Sequence, residues 1–133
     1  MFRIKYSREI ALKILYELDA LKCDAAQAAP VIDEYFVSFS GPNPDEELFI
    51  RRLVQTVLDK KKEIDASISE NLIGWKLNRL ALIDRNLLRM GIAEAGFNSE
   101  KPIIIDDILR IAKKYSDAES YKLINAILDK VIP

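Results

Sequence analysis

The sequence predicts an all-helical fold, and three observations carry that prediction. Apolar residues recur three or four positions apart through most of the chain. Prolines, glycines and capping residues cut those runs into segments of helical length. No apolar run finds a second one with the alternation that strand pairing needs. The 133 residues make one domain by size, and folding buries roughly two-thirds of the surface of an unfolded chain of that length. Half the residues are apolar and 31% are charged, which is a globular rather than a disordered composition.

The first helix is expected to start at Ser7, whose hydroxyl suits an N-cap, with Ile10, Ala11, Ile14, Leu15, Leu18 and Leu21 along one stripe. A shorter second helix fits Val31 to Phe39, after Pro30 and before the breaker Ser40-Gly41-Pro42-Asn43-Pro44. The third has the strongest start. Asn43 caps it, Pro44 suits the first helical position, and Asp45, Glu46 and Glu47 face the positive end of the macrodipole. Leu48, Phe49, Leu53, Val57, Leu58, Ile64 and Ile68 carry it to about Leu72, ahead of Gly74. Of Lys60, Lys61 and Lys62 in its later turns, at most one faces the core, and the run reads as a solvated face.

Trp75 to Leu80 is expected to form one turn of helix anchored by its tryptophan. Asp84 then caps a helix from Arg85 to about Phe97, whose Gly91, Ala93, Ala95 and Gly96 let another backbone come close and put it near the centre. After a loop at Asn98 to Lys101, Pro102 opens a helix through Ile104, Ile108, Ile111 and Tyr115. Ser116-Asp117 breaks it, and the last helix carries Leu123, Ile124, Ile127, Leu128 and Val131. Ile103 to Ile105 have strand-like side chains but nothing to pair with. The expectation is seven helical segments, with no sheet, repeat or linker.

Composition also excludes chemistry. There is no histidine, so the commonest general base and metal ligand are missing, along with every serine–histidine or cysteine–histidine pair. One cysteine, Cys23, gives neither an internal disulfide nor a zinc site, and reads as a small apolar filler in a reducing cytoplasm. Four scattered glycines make no phosphate-cradling loop. Asp106 and Asp107 are neighbours on a helix and diverge by about 100°, so they read as acids near its start rather than a catalytic pair. The chain is expected to be no enzyme, with no cofactor and no catalytic or metal residues. No run approaches the roughly 20 apolar residues of a membrane span, and no secretion signal is visible.

The net charge of −1 hides a local pattern. Residues 1–16 carry Arg3, Lys5, Arg8 and Lys13 against Glu9, a local +3; residues 23–50 hold six acids and no base. From charge alone, a basic N-terminal arm that binds a partner and a scatter of solvated charges are equal readings.

Two stretches carry a family resemblance. One is Trp75-Lys-Leu-Asn-Arg79-Leu80, continuing through Asp84-Arg85 and Leu88-Arg89 to Glu94. The other runs from Pro102 through Asp106-Asp107 and Ala112-Lys113-Lys114-Tyr115 to Ser120-Tyr-Lys122-Leu-Ile-Asn125. They resemble the C-terminal half of NusB transcription antitermination factors, and Ser7-Arg8-Glu9-Ile-Ala11-Leu12 through Tyr16 resembles that family's opening. The resemblance implies a bundle of seven helices in two packed sub-bundles, about 1–73 and 74–133, and an RNA-binding factor that pairs with NusE, a ribosomal protein of the small subunit, on boxA-type RNA of ribosomal operons. The pair then joins the antitermination complex on RNA polymerase. It assigns RNA contacts to Arg3, Lys5, Arg8 and Tyr16 and, at the start of the last helix, to Glu119, Lys122 and Leu123. Arg79, Asp84 and Arg85 become candidates for the partner surface.

The chain departs from the family pattern at three places. Its arm is sparser in arginine, the family's Lys-Phe-Val-Asn-Gly reads Lys122-Leu123-Ile124-Asn125-Ala126, and Asn-Glu-Ala reads Asp106-Asp107-Ile108. A ring at position 123 would stack on a base, worth roughly 1–3 kcal/mol, whereas leucine does not. The alternative reading is accordingly a protein–protein module of the same fold, homodimeric in one form, with weakened RNA binding. From the residues alone, Trp75, Leu80 and Leu88 read as core and Asn125 as a buried helix contact. Tyr16 reads equally as packing or contact. Arg3 and Lys5 precede the expected helix and show no structural duty.

Overall fold

The computed structural model describes residues 1–133 and is helical throughout. Six α-helices follow in order: α1 (Ile4–Ala20), α2 (Ala25–Ser38), α3 (Pro44–Glu70), α4 (Leu82–Ala95), α5 (Lys101–Tyr115) and α6 (Ala118–Val131). The expected seventh segment is a single 3-10 turn, Leu77–Arg79. Ile103, Ile104 and Ile105 lie in α5, so their strand-like side chains give way to the helical period around them.

Two helix starts differ from expectation for identifiable reasons. Ser7 lies inside α1 and donates its hydroxyl to the Arg3 carbonyl at 2.8 Å. The cap comes from elsewhere in the chain: the Arg3 amide donates to Glu46 Oε2 at 2.7 Å, so a carboxylate on α3 satisfies a donor at the start of α1. Helix α2 begins six residues before Val31 because Asp24 and Gln27 form a reciprocal capping box. Pro30 lies within the helix, where it offers no amide to the Ala26 carbonyl. At the other end of α1, Lys22 adopts φ 56° and the Cys23 amide reaches the Leu18 carbonyl at 2.9 Å, a tight left-handed closure made without glycine.

Helix α3 follows its sequence signals closely. Asn43 accepts from the Glu46 amide, the Glu46 carboxylate takes the Asn43 amide, and Pro44 occupies the first turn. Helices α4 and α5 start near the expected positions, with Asp84 in the first turn of α4 rather than at its cap. Asp117 caps α6 by accepting from the Ser120 amide at 2.8 Å.

One cluster of 29 buried apolar residues draws on all six helices. Helix α4 is its centre, with Leu87, Leu88 and Met90 completely buried. The reason is Gly91, where an added Cβ would stand 2.9 Å from Leu128 Cδ2. Only hydrogen in that position lets α6 pack so closely on α4. Trp75 is a correction: it is 59% exposed and anchors nothing, because the turn it precedes runs over the surface. Leu80 is half-buried, and Asn125 is exposed rather than a buried contact.

Candidate nucleic-acid interface

Arg8, expected to touch RNA, is 1% exposed. Its guanidinium holds Glu94 through Nε (2.8 Å) and Nη2 (2.6 Å), and Asp107 through Nη1 (2.9 Å). As a surface contact it is therefore corrected: two carboxylates, one from α4 and one from α5, draw it inward. Asp107 is buried as well and also accepts from Arg110 Nε at 2.6 Å. It is thus an internal ion-pair member, not an acid serving the helix start; Asp106 beside it is exposed.

Arg3 has a structural duty that its sequence position hid. Its Nε and Nη2 grip both oxygens of the buried Glu46 at 2.9 Å, and its guanidinium lies 4.0 Å from the centre of the Tyr6 ring. Its side chain remains 47% exposed. Lys5 sits in the first turn of α1, exposed and without an ion-pair partner. Tyr16 follows by about three helical turns, roughly 16 Å, and so lies on the same face of α1 as Lys5. It is 41% exposed.

Glu9 lies between them on that face and is bridged by Arg110 Nη1 (3.0 Å) and Lys114 Nζ (3.3 Å) of α5. Tyr16 and Tyr115, 41% and 44% exposed, flank a cleft of about 200 Å³ whose floor is Leu12 and Ile83. Next to it, around Ile83-Asp84 and the α5–α6 junction, lies a larger cleft of about 550 Å³. Trp75, Arg79, Asp84, Glu119, Lys122 and Leu123 all line it. The structure thus brings Tyr16 and the expected α6 residues to one end of the molecule, with Arg79 and Asp84 beside them. Lys5 lies further along the same face.

Two expected partner residues are committed inside the protein. Asp84 is buried and accepts the hydroxyl of Ser116, tying the start of α4 to the end of α5. Arg85 turns toward α1 and holds Asp19 through Nε (2.8 Å) and Nη2 (3.0 Å). Arg79 remains exposed.

Lys13 of the basic arm joins this surface, as do Lys114, through Glu9, and Tyr115, to which the sequence assigned no contact. Lys113-Lys114-Tyr115 could have signalled them, as a basic, aromatic last turn of a helix. Lys114 is held above its ordinary basicity by its hydrogen bond to Glu9.

Residues 5–133 match the model of the NusB family. The chain belongs to that family. It is 34% identical to the transcription antitermination protein NusB of Syntrophomonas wolfei, over 95% of this chain and 92% of that protein. Among solved structures, it is similar to a chain of the crystal structure of antitermination factors NusB and NusE in complex with double-stranded RNA. The TM-score is 0.84 at 28% identity, covering 96% of this chain and 94% of that one. T. maritima NusB superposes with a TM-score of 0.82 and 27% identity, over 99% and 92% of the two chains.

In this NusB-family chain, carboxylates anchor the arm, and that gives its stability a pH dependence. Arg3's hydrogen bonds, helped by the Asn43 and Arg3 amides, outweigh burial and hold Glu46 at about 2, against 4.5 ordinarily. Burial raises Asp19, but hydrogen bonds from Arg85 and Asn86 and the charge of Arg89 bring it from 3.8 to about 2. Both groups are more acidic folded than unfolded, so the unfolded chain takes up protons first as pH falls. Their stabilisation is complete above about pH 4.5 and is lost as the pH approaches 2. Urea melts across that range should show a falling midpoint, and Glu46→Gln should flatten the fall. A midpoint unchanged down to pH 2.5 would contradict the assignment.

Proposed function

We propose that this protein is an RNA-binding transcription antitermination factor that pairs with NusE on boxA-type RNA of ribosomal operons, within the antitermination complex on RNA polymerase. The observation that carries the reading is its likeness, over nearly its whole length, to a NusB chain solved together with NusE and double-stranded RNA. The site agrees in its chemistry. Lys5, Tyr16, Lys122 and the exposed edge of Arg3 offer phosphate contacts and a stacking ring, with Glu119 and Leu123 at the margin. Arg79 and the loop before α4 are the reading's partner surface.

In the same reading, which rests on the family, the protein acts in the cytoplasm by binding and catalyses no reaction. Its chain has no histidine, and no group of three histidine, cysteine or acidic side chains is placed to hold a metal. No helix is long and apolar enough to cross a membrane.

The test is capture of NusE by the purified protein, followed by boxA RNA titration at salt from about 50 to about 200 mM. Three contacts, from Arg3, Lys5 and Lys122, give a log–log slope of about −2 on a single strand. Absence of RNA binding with NusE present would sink the RNA half of the reading.

The burial of Arg8 and the pairing of Arg3 with Glu46 also support a second reading, a NusB-fold interaction module with weakened RNA binding. Sedimentation separates the two: a monomer that binds RNA tightly at micromolar concentration contradicts this one, and an RNA-silent homodimer supports it.

A further inference from the structure

Away from the arm, at the Asp19 end of α1, a cleft of about 500 Å³ opens between the later turns of α3, the 3-10 turn and the start of α4. Four cationic side chains line it, Lys61, Lys76, Arg85 and Arg89, against a single carboxylate, Asp65. Arg89 is spent: its Nε and Nη2 hold both Asp65 oxygens at 2.8 and 3.0 Å, and its Nη1 reaches Asp19 at 3.0 Å. Arg85 uses Nε and Nη2 on the same Asp19 and keeps Nη1 unengaged. Lys61 and Lys76 form no ion pair. Counting Asp19 behind the wall, four bases face two acids, and two positive charges stay uncompensated in one recess of a protein whose net charge is −1.

Lys61 is distinguished from its neighbours. Lys60 and Lys62 are exposed, as a solvated run should be, whereas Lys61 is half-buried and also borders the narrow space beside Asn86 and Arg89. Like charges gathered in a concave site repel one another and concentrate the field there, and an anion relieves both. The free donors are two ammonium groups, one guanidinium nitrogen and the Asn78 amide at the rim. That set suits the tetrahedral oxygens of a phosphate group, and the volume holds one or two of them.

We propose that this cleft is a phosphate-binding site, separate from the surface assigned above to RNA. Its ligand is a phosphate group, supplied either by the backbone of a bound RNA strand or by a free polyphosphate. In the free protein the site rests on the α1–α3–α4 ion-pair network, which fixes Arg85 and leaves the two lysines to close on the ligand.

The test uses the full chain and two variants of equal charge, Lys61→Gln/Lys76→Gln in the cleft and Lys22→Gln/Lys130→Gln outside it. Inorganic tripolyphosphate is titrated calorimetrically into each, and the salt slope of single-stranded RNA binding is measured on each. Loss of about tenfold or more in tripolyphosphate affinity in the cleft variant alone identifies a free polyphosphate ligand. A drop of about 1.4 in the RNA slope in that variant alone identifies the RNA backbone. The proposal is overturned when neither quantity separates the cleft variant from the outside variant. Wild-type protein that binds no RNA at all would instead refute the antitermination reading, and tripolyphosphate would still decide the cleft. Circular dichroism of the cleft variant checks that it stays folded, which the exposure of Lys76 and the half-exposure of Lys61 lead us to expect.

Discussion

Replacing Arg8 with alanine should cost about 3–5 kcal/mol of folding stability, because it leaves two buried carboxylates without their counter-ion. Glu94 and Asp107 are 1% and 4% exposed, and neither can turn out to water without opening the α1–α4–α5 junction. Asn98 and Arg110 would still donate to them, which keeps the loss finite. A domain of this size has about 5–15 kcal/mol in total, so the variant should be on the edge of unfolding at 37 °C. Arg8→Lys keeps the charge but cannot span both carboxylates as the planar fork does, and should fall between the two. Urea unfolding of the three proteins measures this. An alanine variant as stable as wild type would mean that Arg8 does not hold the junction together.

Leu128→Ala should cost about 2–5 kcal/mol, since Leu128 is completely buried and its methyls fill the space above Gly91. The pair then makes a sharper test. Gly91→Ala alone brings a Cβ to 2.9 Å from Leu128 Cδ2, forcing the leucine to move among buried neighbours. With Leu128→Ala already in place that obstacle is gone, and alanine's helical advantage of about 1 kcal/mol over glycine is realised. A double-mutant cycle should therefore show the second substitution partly rescuing the first, with a coupling of about 0.5–3 kcal/mol. Strict additivity would mean that α4 and α6 are not held at the distance the glycine permits.

These two sites also show what the sequence made legible. The small residues of α4 predicted a close helix contact, and Gly91 against Leu128 is that contact. Helix α3 was readable to within two residues because Asn43, Pro44 and Glu46 act on their own helix. What could not be read was every interaction spanning the chain. Arg8 and Asp107 are 99 residues apart, Arg3 and Glu46 are 43 apart, and no local rule links them. A basic arm and an arginine driven into the core by distant carboxylates look the same in a linear sequence. The site was legible in the same proportion. Lys5, Tyr16 and Lys122 lie on the surface as expected, whereas Arg8, Asp84 and Arg85 turned out to serve the fold. Trp75 failed in the opposite direction, since a large aromatic residue reads as core until the surrounding turn is seen on the surface.

The burial of Arg8 changes how RNA binding should be probed, because substituting it would confuse loss of fold with loss of contact. The most direct measurement is the salt dependence of boxA-type RNA binding, with NusE present, for wild type and Lys5→Ala/Lys122→Ala. Both lysines are exposed and unpaired, so the variant should fold normally. The account expects weaker binding and a slope shallower by about 1.4, the loss of two phosphate contacts on a single strand. An affinity and slope equal to wild type would contradict it, and so would the absence of binding by wild type with NusE present.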